Sequence, residues 1–124
     1  MEEDRLSLLI VDDDVSFGHH IQTRLESTFT INTAHTISEA KKLLEIHEYH
    51  LILLDIGLGE LPEGGLTLIH DVQESQTNGH IIMLSGKDDT KTIIDSINRG
   101  AQDFVSKSNC HCMGQTSSIK LWYF

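Results

Sequence analysis

The chain of 124 residues holds one proline, Pro62, and two cysteines, Cys110 and Cys112. A single proline excludes a Pro-rich linker, and two cysteines two positions apart cannot staple a small secreted scaffold. Thiols this few suit a reducing compartment, and the expected location is the cytoplasm. Long apolar runs are also missing. Leu51-Ile52-Leu53-Leu54, among the longest, is far too short to cross a bilayer, so no membrane association is expected. Met1-Glu2-Glu3-Asp4 is acidic where a signal peptide carries positive charge, which speaks against export. Basic residues are scarce: nine Lys and Arg stand against nineteen Asp and Glu, a formal charge of −10. Such a surface repels nucleic acid phosphates, so direct binding to nucleic acid is not expected. Cations and basic protein surfaces are better partners.

What remains is an ordinary globular composition, 39% apolar, long enough for one domain with a real core and too apolar for disorder. Leu6-Ser7-Leu8-Leu9-Ile10-Val11 is a near-continuous apolar run, the mark of a strand covered on both faces, and it stops at Asp12-Asp13-Asp14. Over 15–27, Phe17, Ile21 and Leu25 recur at helical spacing. Residues 29–33 alternate and read as a weaker strand. Thr36 or Ser38 can cap a helix whose inward face holds Ala40, Leu43, Leu44 and His47. Leu51-Ile52-Leu53-Leu54 is again a buried strand, ending at Asp55. A Gly-rich loop over 57–65 leads to a helix with Leu66, Ile69 and Val72 facing inward. It lacks the Lys-Ser/Thr ending of a phosphate-binding P-loop and reads as a flexible loop. Ile81-Ile82-Met83-Leu84 is a third buried strand, ending at Ser85-Gly86. A further helix starts near Asp88-Asp89-Thr90, is expected to turn Ile93, Ile94 and Ile97 inward, and stops at Gly100. Phe104-Val105 is a short last strand before Ser106-Lys107. Five strands alternating with four helices predict an α/β fold, a doubly wound five-stranded parallel sheet with right-handed crossovers.

Ligands of such sheets sit beyond the carboxyl ends of the strands, where strand order reverses. For the order 2-1-3-4-5 that place lies between the first and third strands, which end at Asp12, Asp13 and Asp55. Three carboxylates meeting there repel one another. A hard, oxygen-seeking dication such as Mg²⁺ relieves the repulsion. Ser85 and Lys107 add a hydroxyl and an ammonium at the neighbouring strand ends. Together these are the parts needed to place a phosphoryl group on an aspartate and to stabilise it.

On Leu-Ile-Val-Asp-Asp-Asp (9–14), Leu-Leu-Asp-Ile (53–56), Met-Leu-Ser-Gly (83–86) and Gly-Ala-Gln-Asp-Phe-Val-Ser-Lys (100–107), the sequence resembles the receiver domain of two-component response regulators over about 5–107. The resemblance implies a flavodoxin-like fold in which Asp55 is the phosphoacceptor. Asp12 and Asp13 would hold Mg²⁺ with Asp55 and the Gly57 carbonyl. Ser85 would be the switch hydroxyl, Phe104 the switch aromatic and Lys107 the phosphate-contacting lysine. It implies a histidine kinase or phosphotransfer protein as partner. It also implies a phosphoacceptor with at most self-catalysed transfer and autodephosphorylation. The chain departs from the family in three ways. Gly59 stands where proline is usual, with Pro62 further on; Ser108 follows the lysine in place of proline; and no regular fifth amphipathic helix is legible.

The expected division is a receiver domain over 1–107 and an atypical tail over 108–124, which contains no acidic residue. Cys110-His111-Cys112 offers three adjacent donors with no second cluster, a poor start for tetrahedral zinc. The run Ile119, Leu121, Trp122, Tyr123 and Phe124 is expected to cover a strip around Leu8, Ile10 and Phe104, on its own domain or on a second copy in a homodimer. Two other readings of the residues stay open: a Mg²⁺-dependent phosphohydrolase with an aspartyl intermediate, and a receiver-like scaffold that no longer signals.

Overall fold

A computed structural model describes residues 6–57, 64–75, 79–85 and 90–106. Five strands and four helices alternate: β1 (Leu6–Val11), α1 (Val15–Leu25), β2 (Phe29–Ala34), α2 (Ile37–Ile46), β3 (Leu51–Asp55), α3 (Gly64–Ser75), β4 (His80–Ser85), α4 (Thr90–Arg99) and β5 (Asp103–Ser106). The strands form one sheet in the order β2-β1-β3-β4-β5, and every pairing is parallel. This is the topology expected of the strand–helix alternation.

The two-residue period of the central strands divides the core. Leu9, Val11, Ile52, Leu54, Ile81 and Met83 face one way and pack with Ala40 and Leu44 of α2 and with Leu68, Ile69 and Val72 of α3. Leu8, Ile10, Leu51, Leu53, Ile82 and Leu84 face the other way, with Ile21 and Leu25 of α1. Strands buried on both faces need no polar alternation, which is why β1 and β3 read as near-continuous apolar runs. Each fully buried leucine or isoleucine contributes about 1.5–3 kcal/mol before ordering entropy is subtracted.

The helix ends follow local chemistry. Asp14 caps α1, its carboxylate accepting from the Phe17 N–H at 3.1 Å. Thr36 caps α2, its hydroxyl oxygen accepting from the Glu39 N–H at 3.1 Å, while Glu39 accepts from the His35 N–H at 3.3 Å. Gly100, at φ +122°, ends α4 in a conformation open to glycine.

Four expectations are corrected. Helix α1 ends at Leu25, two residues short of the predicted limit. His47 is exposed beyond the end of α2, with extended backbone, and not on its inward face. Ile94 and Ile97 are 52% and 43% exposed. Helical spacing groups them into a stripe; α4 packs beside α3, and spacing alone does not say how much of the stripe that contact covers. Phe104 pairs with Met83 and Val105 with Leu84, so Val105, not Phe104, shares the face of Leu8 and Ile10. A one-residue step along a strand reverses the face. The side chains of Leu66 and Ile93 lie outside those the structure describes. Gly86, Lys107 and the whole tail, with its two cysteines and the question of a fifth helix, also lie outside the described residues.

Candidate functional site

The site is built by register. Val11 of β1 pairs with Leu54 of β3, so one step further Asp12 stands level with Asp55. Asp12 continues the Leu8–Ile10 row and Asp55 the Leu51–Leu53 row, which point to the same face. Asp13 follows directly. One carboxylate oxygen from each of Asp12, Asp13 and Asp55 lies within 4.8 Å of the others. Asp12 is 1% and Asp55 5% exposed, while Asp13 faces solvent. Lone strand-end carboxylates are ordinarily solvated; two of these are buried side by side.

Hydrogen bonds hold the arrangement. The Asp14 N–H donates to Asp12 Oδ1 at 2.9 Å, and the Gly57 N–H donates to Asp55 Oδ1 at 3.3 Å. The backbone N–H of Asp12 donates to the Ala34 carbonyl at 3.0 Å, and that of Ile56 to the Leu84 carbonyl at 3.0 Å. His35 Nδ1 lies 3.1 Å from the Asp12 carbonyl oxygen. Three converging carboxylates with one open side form an all-oxygen donor set suited to a hard dication that keeps several waters.

Of the residues singled out in the sequence, Asp12, Asp13 and Asp55 converge, and Gly57 adjoins Asp55 by the hydrogen bond above. Ser85 ends β4 and pairs with Ser106 of β5. Phe104 is half-buried in β5, its N–H donating to Asp103 Oδ1 at 2.7 Å. Sequence reasoning did not single out His35. The signal was the pairing of Val11 with Ala34, which sets the next residue of each strand side by side and cannot be read without the register.

The sequence model of the response regulator receiver domain matches residues 8–111. The chain belongs to the response regulator receiver domain family. It is 31% identical over 101 residues to the transcriptional regulatory protein KdpE of Staphylococcus aureus, an alignment covering 81% of this chain and 42% of that protein. The chain thus spans less than half the length of this curated relative. A CheY-like response regulator receiver domain protein from Methanospirillum hungatei superposes with a TM-score of 0.82 at 25% identity, over 95% of this chain and 94% of that one. A response regulator from Burkholderia pseudomallei, crystallised with a phosphorylated aspartic acid, a calcium ion and citrate, superposes with a TM-score of 0.78 at 24% identity. That match covers 96% of this chain and 71% of the other. Like other receiver domains, this one is a regulatory module of two-component systems.

Proposed function

We infer that this receiver domain accepts a phosphoryl group on Asp55 from a histidine kinase or phosphotransfer protein in the cytoplasm and changes its affinity for a partner. The observation that carries the reading is the convergence of Asp12, Asp13 and Asp55, with Asp55 nearly buried at the end of a central strand. An Asp55 carboxylate oxygen attacks phosphorus in line; the phosphorus–nitrogen bond of phosphohistidine breaks as the phosphorus–oxygen bond forms. The Gly57 N–H on Oδ1 limits rotation of the carboxylate during the attack. Asp12, Asp13, Asp55 and the Gly57 carbonyl would hold Mg²⁺, which when bound would offset charge on the transferring oxygens.

Ser85 and Lys107 then bind the transferred phosphoryl oxygens, and Phe104, on the neighbouring strand, follows Ser85. The phosphoryl group shifts a two-state equilibrium only as far as it binds one state better than the other. The domain acts as a phosphoacceptor, with at most self-catalysed transfer and autodephosphorylation. Acetyl phosphate tests the reading without a kinase. The expected result is one phosphoryl group per chain, dependent on Mg²⁺ and lost in EDTA. Rapid turnover of the donor without protein-bound phosphate would favour a phosphohydrolase, and no reaction would favour a silent scaffold.

A further inference from the structure

We propose that His35 is a positioning residue for the acidic pair, setting the direction of Asp13 through the backbone carbonyl of Asp12. The inference rests on the reading of Asp12, Asp13 and Asp55 as a divalent-cation site. The pairing of Val11 with Ala34 brings His35 level with Asp12, and its Nδ1 lies 3.1 Å from the Asp12 carbonyl oxygen. A carbonyl oxygen only accepts, so Nδ1 carries the hydrogen and donates. Asp12 is thereby held at three points. Its N–H donates to Ala34, its Oδ1 accepts from the Asp14 N–H, and its carbonyl accepts from His35.

The third bond acts beyond Asp12. The Asp12 carbonyl and the Asp13 N–H belong to one rigid peptide plane. Fixing the oxygen fixes that plane, and the Asp14 N–H on Asp12 Oδ1 holds the next one, so the two together limit the rotation by which the Asp13 side chain could turn about its own N–Cα bond. Asp13 is the exposed member of the triad, so its aim depends on the backbone that carries it. His35 is well placed to give that aim. Half-buried, it sits directly before the Thr36 cap of α2, and its N–H is held by Glu39 Oε2 at 3.3 Å. The acidic loop is thus tied to the start of a helix, as partners behind a metal ligand commonly orient it.

The test compares the parent with His35→Leu, His35→Asn and Thr36→Ala at pH 8, by calorimetric titration with Mg²⁺ and by thermal melting in EDTA. Leucine keeps bulk and removes the donor, and Mg²⁺ binding is expected to weaken three- to ten-fold. Asparagine, whose side-chain amide can donate from a similar place, is expected to recover most of the loss. Thr36→Ala, which uncaps α2, is expected to lower the melting temperature and leave Mg²⁺ affinity within two-fold. In metal-free protein, the Asp12 carbonyl ¹³C and Asp13 amide ¹⁵N shifts are expected to move in His35→Leu and stay in Thr36→Ala.

Mg²⁺ affinity in His35→Leu equal to the parent's overturns the proposal while leaving the cation site standing. Equal affinity losses in His35→Leu and Thr36→Ala overturn it in favour of a merely structural role. A parent that binds no Mg²⁺ overturns both the proposal and the site reading beneath it. Should His35→Leu fail to fold, the parent alone decides. Long-range ¹H–¹⁵N correlation must show the His35 ring proton on Nδ1, and a proton on Nε2 alone overturns the proposal.

Discussion

Asp12 and Asp55 end neighbouring strands at the same level, point to the same face and are both nearly buried, with carboxylate oxygens within 4.8 Å. Asp13 adds a third oxygen from the solvent side within the same distance. Like charges so close favour whatever cation relieves them and destabilise the fold without one.

The first prediction follows from that repulsion. Asp13→Ala removes one carboxylate without opening the core. In EDTA the variant is expected to be more stable than the parent by about 1 kcal/mol, the scale of a solvent-screened pair at this separation. Its Mg²⁺ affinity should fall at least ten-fold, and the melting-temperature gain on adding Mg²⁺ should shrink. Urea unfolding with and without Mg²⁺ measures both. A variant less stable in EDTA and unchanged in Mg²⁺ binding contradicts the acidic-pair assignment.

A second prediction concerns Gly100, where φ is +122° and an added Cβ would run into the Gln73 side chain. The Gln73 amide can swing away, but the backbone angle cannot relax without moving the end of α4. Gly100→Ala is therefore expected to cost about 1–3 kcal/mol in urea unfolding. Adding Gln73→Ala should restore little of it. Full restoration would mean that the clash, and not the angle, sets the cost.

The third prediction is a pH dependence. Tyr49 is buried, its hydroxyl donating to Asn32 Oδ1 at 2.8 Å, and burial pushes its pKa up from 10.0 to about 12. Between these values the unfolded chain has released the phenolic proton and the folded chain still holds it. The stability this group contributes is thus present below pH 10 and lost as pH rises to 12. The parent is expected to lose stability across that window more steeply than Tyr49→Phe. Ultraviolet titration should show a phenolate component near pH 12 that disappears in the variant. Equal slopes for parent and variant contradict the assignment.

Much of the fold was legible because burial on both faces writes itself as nearly unbroken apolar sequence in β1 and β3. Aspartates stop those runs, so the triad was legible as well. Two kinds of feature were not. Periodicity groups Ile94 with Ile97 but says nothing of whether another layer covers the stripe, and both are substantially exposed. Register decides which neighbours a residue meets, so the face of Phe104 and the contact of His35 with Asp12 appeared only once the strands were paired.

The most direct test of the account is the mass of the intact protein after incubation with acetyl phosphate and Mg²⁺, parent against Asp55→Asn. The substitution keeps size and removes the nucleophile, and circular dichroism should show the fold retained. The parent is expected to gain the mass of one phosphoryl group, and Asp55→Asn none. A phosphoryl group gained by both proteins to the same extent would contradict Asp55 as the acceptor.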